Sequence, residues 1–208
     1  MQRASHFIEY RQFRTLWAAV DAAQALGKPL NLFVTINFSL ADCPEELVSS
    51  KFGHLRENHF SPWLRYVSRL LRAADRSPPL YIWVIENRSG MCHVHWLVHM
   101  PPRLKRRFEA KVPDWVAAVC ERVYCSSGVV QIATIYDLEG LRRYVLKGVH
   151  PNHAARHRLK AVPQGIVVGK RCGVSKSLGP AAIFRPGAWL RSSTRAGLNA
   201  SSEASGHH

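Results

Sequence analysis

This 208-residue sequence predicts an α+β fold built on a split β-α-β core, and three observations lead there. Four segments have strand character, among them LNLFVTINFS, where Leu32, Val34, Ile36 and Phe38 alternate with Phe33, Thr35 and Asn37. Helical segments separate the first strand from the second and the third from the fourth. The second and third strands are separated by the short stretch NRSG, which suits a hairpin turn.

Taken in order, FIEYRQFRTLWAAVDAAQALGKP from Phe7 reads as a helix that stops at Gly27 and Pro29. The strand LNLFVTINFS follows. SPWLRYVSRLLRAADRS predicts a helix over 61–77, with Ser61 as N-cap and Pro62 at its first position. LYIWVIE and CHVHWLVHM form the hairpin. LKRRFEAKVPDWVAAVCERVY is helical, with Pro113 expected to break or kink it. GVVQIATIY is the fourth strand, and DLEGLRRYVLKGV a short helix capped by Asp137. The order helix, β-α-β-β-α-β, helix is that of the ferredoxin- or RRM-like arrangement, a central antiparallel sheet with helices on one face. Four segments result: an N-terminal helical segment 1–29, a core 30–150, a basic extension 151–200 and a disordered tail 201–208.

Composition narrows the class of function. Hydrophobic residues make up 47% of the chain, enough for a packed core, and no apolar run reaches the length of a membrane span. MQRASHFIEYRQF lacks the apolar stretch of a signal peptide. The five cysteines are scattered without a C-x-x-C pair, which suits a reducing cytoplasm and argues against a disulfide framework or a cysteine zinc site. The formal charge is +15 and unevenly spread: residues 1–100 hold 11 basic and 8 acidic residues, residues 101–208 hold 18 and 6. Such a surplus attracts polyphosphates, nucleic acid ahead of an anionic membrane.

The chemistry gathers around MCHVHWLVHM. On a strand, His93, His95, Leu97 and His99 share one face, while Val94, Trp96, Val98 and Met100 make an apolar face beneath the helices. If Ser89-Gly90 is a two-residue hairpin loop, Glu86 lies opposite His93, with His95 just beyond. Two imidazoles and a carboxylate can hold a divalent cation and leave positions open for substrate oxygens. In the last helix Tyr144 and Lys147 stand three apart and so project from one side. A tyrosine at a metal site can act as a nucleophile toward phosphate, and a neighbouring ammonium can offset the charge that develops; alone, Y-x-x-K is a weak signal.

These residues resemble the HUH endonucleases, in particular the single-tyrosine rolling-circle replication initiators of plasmids and phages. The resemblance spans residues 30–150 and rests on FVTINF (33–38), HVH (93–95) and YVLK (144–147), in the order that initiators rather than relaxases follow. It implies Mg²⁺ or Mn²⁺ at His93, His95 and Glu86, attack by Tyr144 on single-stranded DNA at an origin or hairpin, and a 5′-phosphotyrosine link with Lys147 positioning the phosphate. Thr35, Asn37 and His99 are expected as supports or DNA contacts, and Arg142, Arg143, Lys170 and Arg171 as backbone contacts. Tyr136, eight residues before Tyr144, precedes the helix, so one nucleophile is expected. GIVVGKR does not complete a P-loop, so a helicase would come from a separate protein. A cytoplasmic protein of a bacterial host, without a membrane, is expected.

Rivals are fewer. The histidine-triad hydrolase pattern fails at Leu97, and a zinc deaminase needs H-x-E with P-C-x-x-C, both absent. A transposase of the HUH superfamily and a non-catalytic basic nucleic-acid-binding module remain open.

Overall fold

The computed structural model describes residues 3–71 and 76–183. The chain runs through β1 (Ala4–Ser5), α1 (Tyr10–Ala25), β2 (Leu32–Asn37), α2 (Val48–His54), α3 (Ser61–Ser68), β3 (Tyr81–Arg88) and β4 (Met91–Val98). It continues with α4 (Pro102–Val119), β5 (Val130–Thr134), α5 (Leu138–Val145), α6 (Pro151–Ala154), β6 (Val167–Val168), β7 (Cys172–Val174) and α7 (Pro180–Ile183). The tail 201–208 lies outside the described residues.

Five strands form one antiparallel sheet in the order β5-β2-β4-β3-β7. The first four reproduce the split β-α-β order expected from the sequence. The hairpin turns at Ser89 and Gly90, both at positive φ (56° and 74°), as a two-residue loop matched to strand twist requires. That turn sets the register, and Glu86 pairs with His93 as predicted.

One face of the sheet is dry. Val34, Ile36, Trp83, Ile85, Val94 and Trp96 pack against Phe52, Phe60, Leu64, Phe108 and Trp115 from the two helical connections. The helix before β3 begins earlier than the sequence indicates. Val48–His54 runs without a break through a π-helical segment, Leu55–Phe60, into α3. Ser61 is therefore not an N-cap; it lies inside this run and donates its hydroxyl to the Arg56 carbonyl at 2.7 Å. At α spacing, the Pro62 ring would strike the Asn58 carbonyl, and the wider π turn relieves that clash. Of the predicted extent to Ser77, α3 keeps only Ser61–Ser68, and residues 72–75 lie outside the described residues. Pro113 does not break α4, which stays one element because Phe108, Val112, Trp115 and Val116 seat both halves on the sheet.

The helices of the split core occupy that face, and a second layer covers part of the other. Phe13, Leu16, Ala19, Val20 and Ala23 of α1 pack with Ile82, Val84, Leu97, Val145 and Leu146. The segment 151–183 also belongs to the body. β7 adds to the β3 edge, and β6 pairs with β1. Its short elements carry too few residues to show a period, so they are unreadable from pattern alone. No helix among the described residues is long and apolar enough to cross a membrane.

Candidate active site

The partly covered face carries the polar residues of β2, β3 and β4. The register places His93 beside Asn37 on one neighbour and Glu86 on the other, and His95 beside Thr35 and Val84. α5 brings Tyr144 across this surface, and the turn that follows the helix, rather than the helix itself as expected, carries Lys147. Asp137 caps α5 by accepting the Gly140 N–H at 2.8 Å.

Glu86 is the hub. Its side chain is 8% exposed, and one carboxylate oxygen, Oε2, lies 3.3 Å from His95 Nε2 and 3.1 Å from Lys147 Nζ. Burial raises the carboxyl pKa, but His95 and Lys147 outweigh it and leave Glu86 below the ordinary carboxylate value. The other oxygen, Oε1, is buried and has no hydrogen-bond partner among the described residues. The Lys147 ammonium also lies over the Tyr144 ring, 3.6 Å from its centroid. Tyr144 is half-exposed, with its ring edge-on to His95 at 5.6 Å and to Phe33 at 6.5 Å. The Tyr144 phenol, the Lys147 ammonium and the Glu86–His95 pair thus share a single surface.

The imidazoles are held from behind. His93 Nδ1 donates to the Met91 carbonyl at 2.9 Å, which leaves Nε2 with its lone pair. Burial pushes His93 below its ordinary value, favouring the neutral ring, while the Met91 bond opposes this. His95 Nδ1 lies 3.3 Å from the Thr35 hydroxyl. A hydroxyl both donates and accepts, so Thr35 suits either tautomer of His95. The His93 and His95 rings lie parallel, 6.4 Å apart.

The donor chemistry fits a divalent cation: two imidazole nitrogens anchored through their other nitrogen, and an ionised carboxylate with one buried oxygen lacking a partner. The arrangement is not a closed cage. No three His, Cys, Asp or Glu side chains among the described residues group tightly enough to surround an ion. Lys147 occupies part of the carboxylate that a cation would take.

Other expected residues have partners within the fold or lie at its surface. Asn37 is buried and caps the turn after β2, its Oδ1 accepting the Leu40 N–H at 3.1 Å. His99 lies past the end of β4, its Nδ1 donating to the Pro29 carbonyl at 2.8 Å. Arg142, expected as a DNA contact, is buried. It pairs with Asp21 at 2.6 Å and with Glu139, and its guanidinium lies 3.8 Å from the Trp17 ring centroid. Arg171 is also buried and ties β7 to Ser5. A sequence does not show which arginines the fold encloses, so neither burial is legible there. Arg143, paired with Glu139, and Lys170 are exposed.

Sequence reasoning missed Trp17 and Asp21, which pin α5 through Arg142, and the latch that closes it. The Ile8 N–H donates to the Gly148 carbonyl at 2.9 Å, and the His150 N–H donates to the Ile8 carbonyl at 3.2 Å. These contacts span more than a hundred residues, and no local pattern signals them. Comparison of the chain with protein-family models, with curated proteins and with solved structures finds no match.

Proposed function

We propose that this protein is a divalent-metal-dependent endonuclease that nicks and rejoins single-stranded DNA through Tyr144, as in rolling-circle initiation. The observation that carries the reading is the meeting of Tyr144 and Lys147 with Glu86 and His95 of the β3–β4 hairpin, two segments far apart in sequence, on one sheet face.

In this reading the Tyr144 oxygen attacks a backbone phosphorus and the bond to the 3′ oxygen breaks. The phenol proton passes to solvent, and the departing 3′ oxygen takes one up, so the step is neutral in protons. The product is a 5′-phosphotyrosine and a free 3′-hydroxyl, and the retained phosphoester lets a 3′-hydroxyl attack in reverse. Lys147, 3.6 Å from the ring centroid, offsets charge on the phosphate and on the forming ester. Glu86, His95 and His93 would hold Mg²⁺ or Mn²⁺, which supplies Lewis-acid polarisation of the phosphate oxygens. Thr35 orients His95. The +15 charge favours the polyanionic substrate, and strand separation would fall to a separate helicase.

The test is incubation with circular and degenerate single-stranded DNA and Mn²⁺, followed by denaturing electrophoresis. The expected result is a protein–DNA adduct that EDTA abolishes. Origin DNA as the preferred substrate marks an initiator; mobile-element ends mark a transposase of the same superfamily.

The second reading is a non-catalytic basic nucleic-acid-binding module. It is favoured by the pairing of Glu86 with both His95 and Lys147, which already satisfies one carboxylate oxygen from within the chain. DNA binding without an adduct or metal uptake selects it.

A further inference from the structure

We propose that the cleft between the N-terminal strand and the Gly169–Arg171 segment is a phosphate-binding site, and that it holds a backbone phosphate of a single strand. The cleft encloses about 580 Å³ and is lined by Arg3, Ser5, His6, Lys170 and Arg171, with Glu9 as its one acidic side chain. The Glu9 carboxylate accepts the Gln12 N–H in the capping box of α1, so it has a partner of its own.

Arg171 is the built part of this site. It is 1% exposed. Nε donates to Ser5 Oγ at 3.2 Å, and Nη2 donates to the Ser5 carbonyl at 2.8 Å and to the Gly165 carbonyl. These bonds fix the plane of the guanidinium. Nη1 is left buried and without a partner among the described residues. An ionised donor that has lost its water and gained nothing in return is a costly arrangement, and an oxyanion is its natural complement. Arg3 and Lys170 bring the count of fixed cations lining the cleft to three against one carboxylate, which selects phosphate over a neutral ligand.

Continuity selects a strand over a lone anion. A neighbouring cleft of about 320 Å³ shares Gln12 and Lys170 with the first and adds Arg11 and Lys176, with no acidic side chain. Together they make a positive track along the edge of the sheet. The Arg171 carbonyl accepts the Ile85 N–H at 2.7 Å, so the track begins beside the residue that precedes Glu86. The identity of the ligand rests on the single-strand reading above; the site itself does not.

The test is binding of a labelled oligothymidylate by anisotropy over a salt series, in EDTA so that cleavage plays no part. Lys170→Gln and Arg3→Gln should each reduce the slope of log affinity against log salt by about 0.7, the value of one lost phosphate contact on a single strand. Arg171→Lys keeps the charge and loses the fork, and should bind about tenfold more weakly at unchanged slope. Thermal melting checks that each variant folds. In a second arm, melting of wild-type protein with inorganic phosphate reads the free anion. Unchanged slopes in Lys170→Gln and Arg3→Gln overturn the proposal. So does stabilisation by phosphate alone without any effect on oligonucleotide binding. Reduced slopes with no covalent adduct under Mn²⁺ would uphold this site while refuting the nuclease.

Discussion

The two faces of the sheet come from the same strands and differ in almost everything else. On one, Val34, Ile36, Trp83, Ile85, Val94 and Trp96 are each at most 1% exposed beneath α3, α4 and the π segment. On the other, the intervening positions hold Thr35, Asn37, Glu86, His93 and His95, and α1 and α5 cover this side while leaving Tyr144 half-exposed. Full cover demands apolar side chains, since a buried polar group without a partner is costly. Partial cover tolerates a carboxylate and imidazoles if each finds a partner, and here Met91, Thr35 and Lys147 supply partners. The difference teaches that strand periodicity lets one short segment build a core and a site together.

The contrast makes separable predictions. Tyr144→Phe, on the polar face, should abolish adduct formation, a loss on the order of 10⁴-fold or more, read by gel. Its melting temperature should barely change, because the side chain is half-exposed. Trp96→Ala on the dry face should do the opposite. Trp96 is fully buried against Phe52, Phe60, Tyr81 and Phe108, and its loss should cost about 3–5 kcal/mol in urea unfolding. Activity would then fall only through loss of folded protein.

Thr35→Val sharpens the comparison. It removes the hydroxyl behind His95 and should lower Mn²⁺ affinity or activity by roughly 10–100-fold, with little change in stability. Calorimetric titration with Mn²⁺ checks it. The smallest effect is a pH dependence outside both the dry core and the site. Burial holds His99 below its ordinary value of 6.5, with Lys28 acting in the same sense and the Pro29 bond against it. Burial and His54 do the same for His59. The unfolded chain then binds more protons than the folded one below 6.5, so stability is full above that value and falls as pH drops through the folded pKa values. Melting followed from pH 7.5 to 5 should show the fall, and the double variant His59→Gln/His99→Gln should reduce it, with His93, lowered in the same sense, accounting for part of what remains.

Much of this was legible in the sequence, and particular residues show where legibility stops. Ser89-Gly90 fixed the hairpin register and therefore the Glu86–His93 pairing, because turn length is a local property. Tyr144 and Lys147 do meet, at 3.6 Å from ammonium to ring centroid, although α5 ends at Val145 and Lys147 sits in the turn beyond it. The π segment before Pro62 and the strand β7 escaped notice, the first because its cause lies in a single ring clash and the second because three residues carry no period. Pattern alone does not reveal that Arg142 and Arg171 are buried, because burial of a charge depends on Asp21, Ser5 and Gly165, which only tertiary structure brings near. Convergence of Tyr144 on the Glu86–His95 pair was an expectation from resemblance, and the fold places these residues together through α1 and the Ile8 latch.

The central claim is that Tyr144 becomes bonded to DNA phosphate. Wild-type protein incubated with circular single-stranded DNA and Mn²⁺ can be digested with nuclease and trypsin, and the peptides weighed by mass spectrometry. Cleavage after Arg143 and Lys147 releases Tyr-Val-Leu-Lys as its own peptide. The account predicts nucleotide mass on that tetrapeptide, on its tyrosine, and none when EDTA replaces Mn²⁺. Nucleotide on another residue, or an unmodified tetrapeptide from protein that binds DNA and metal, would contradict it.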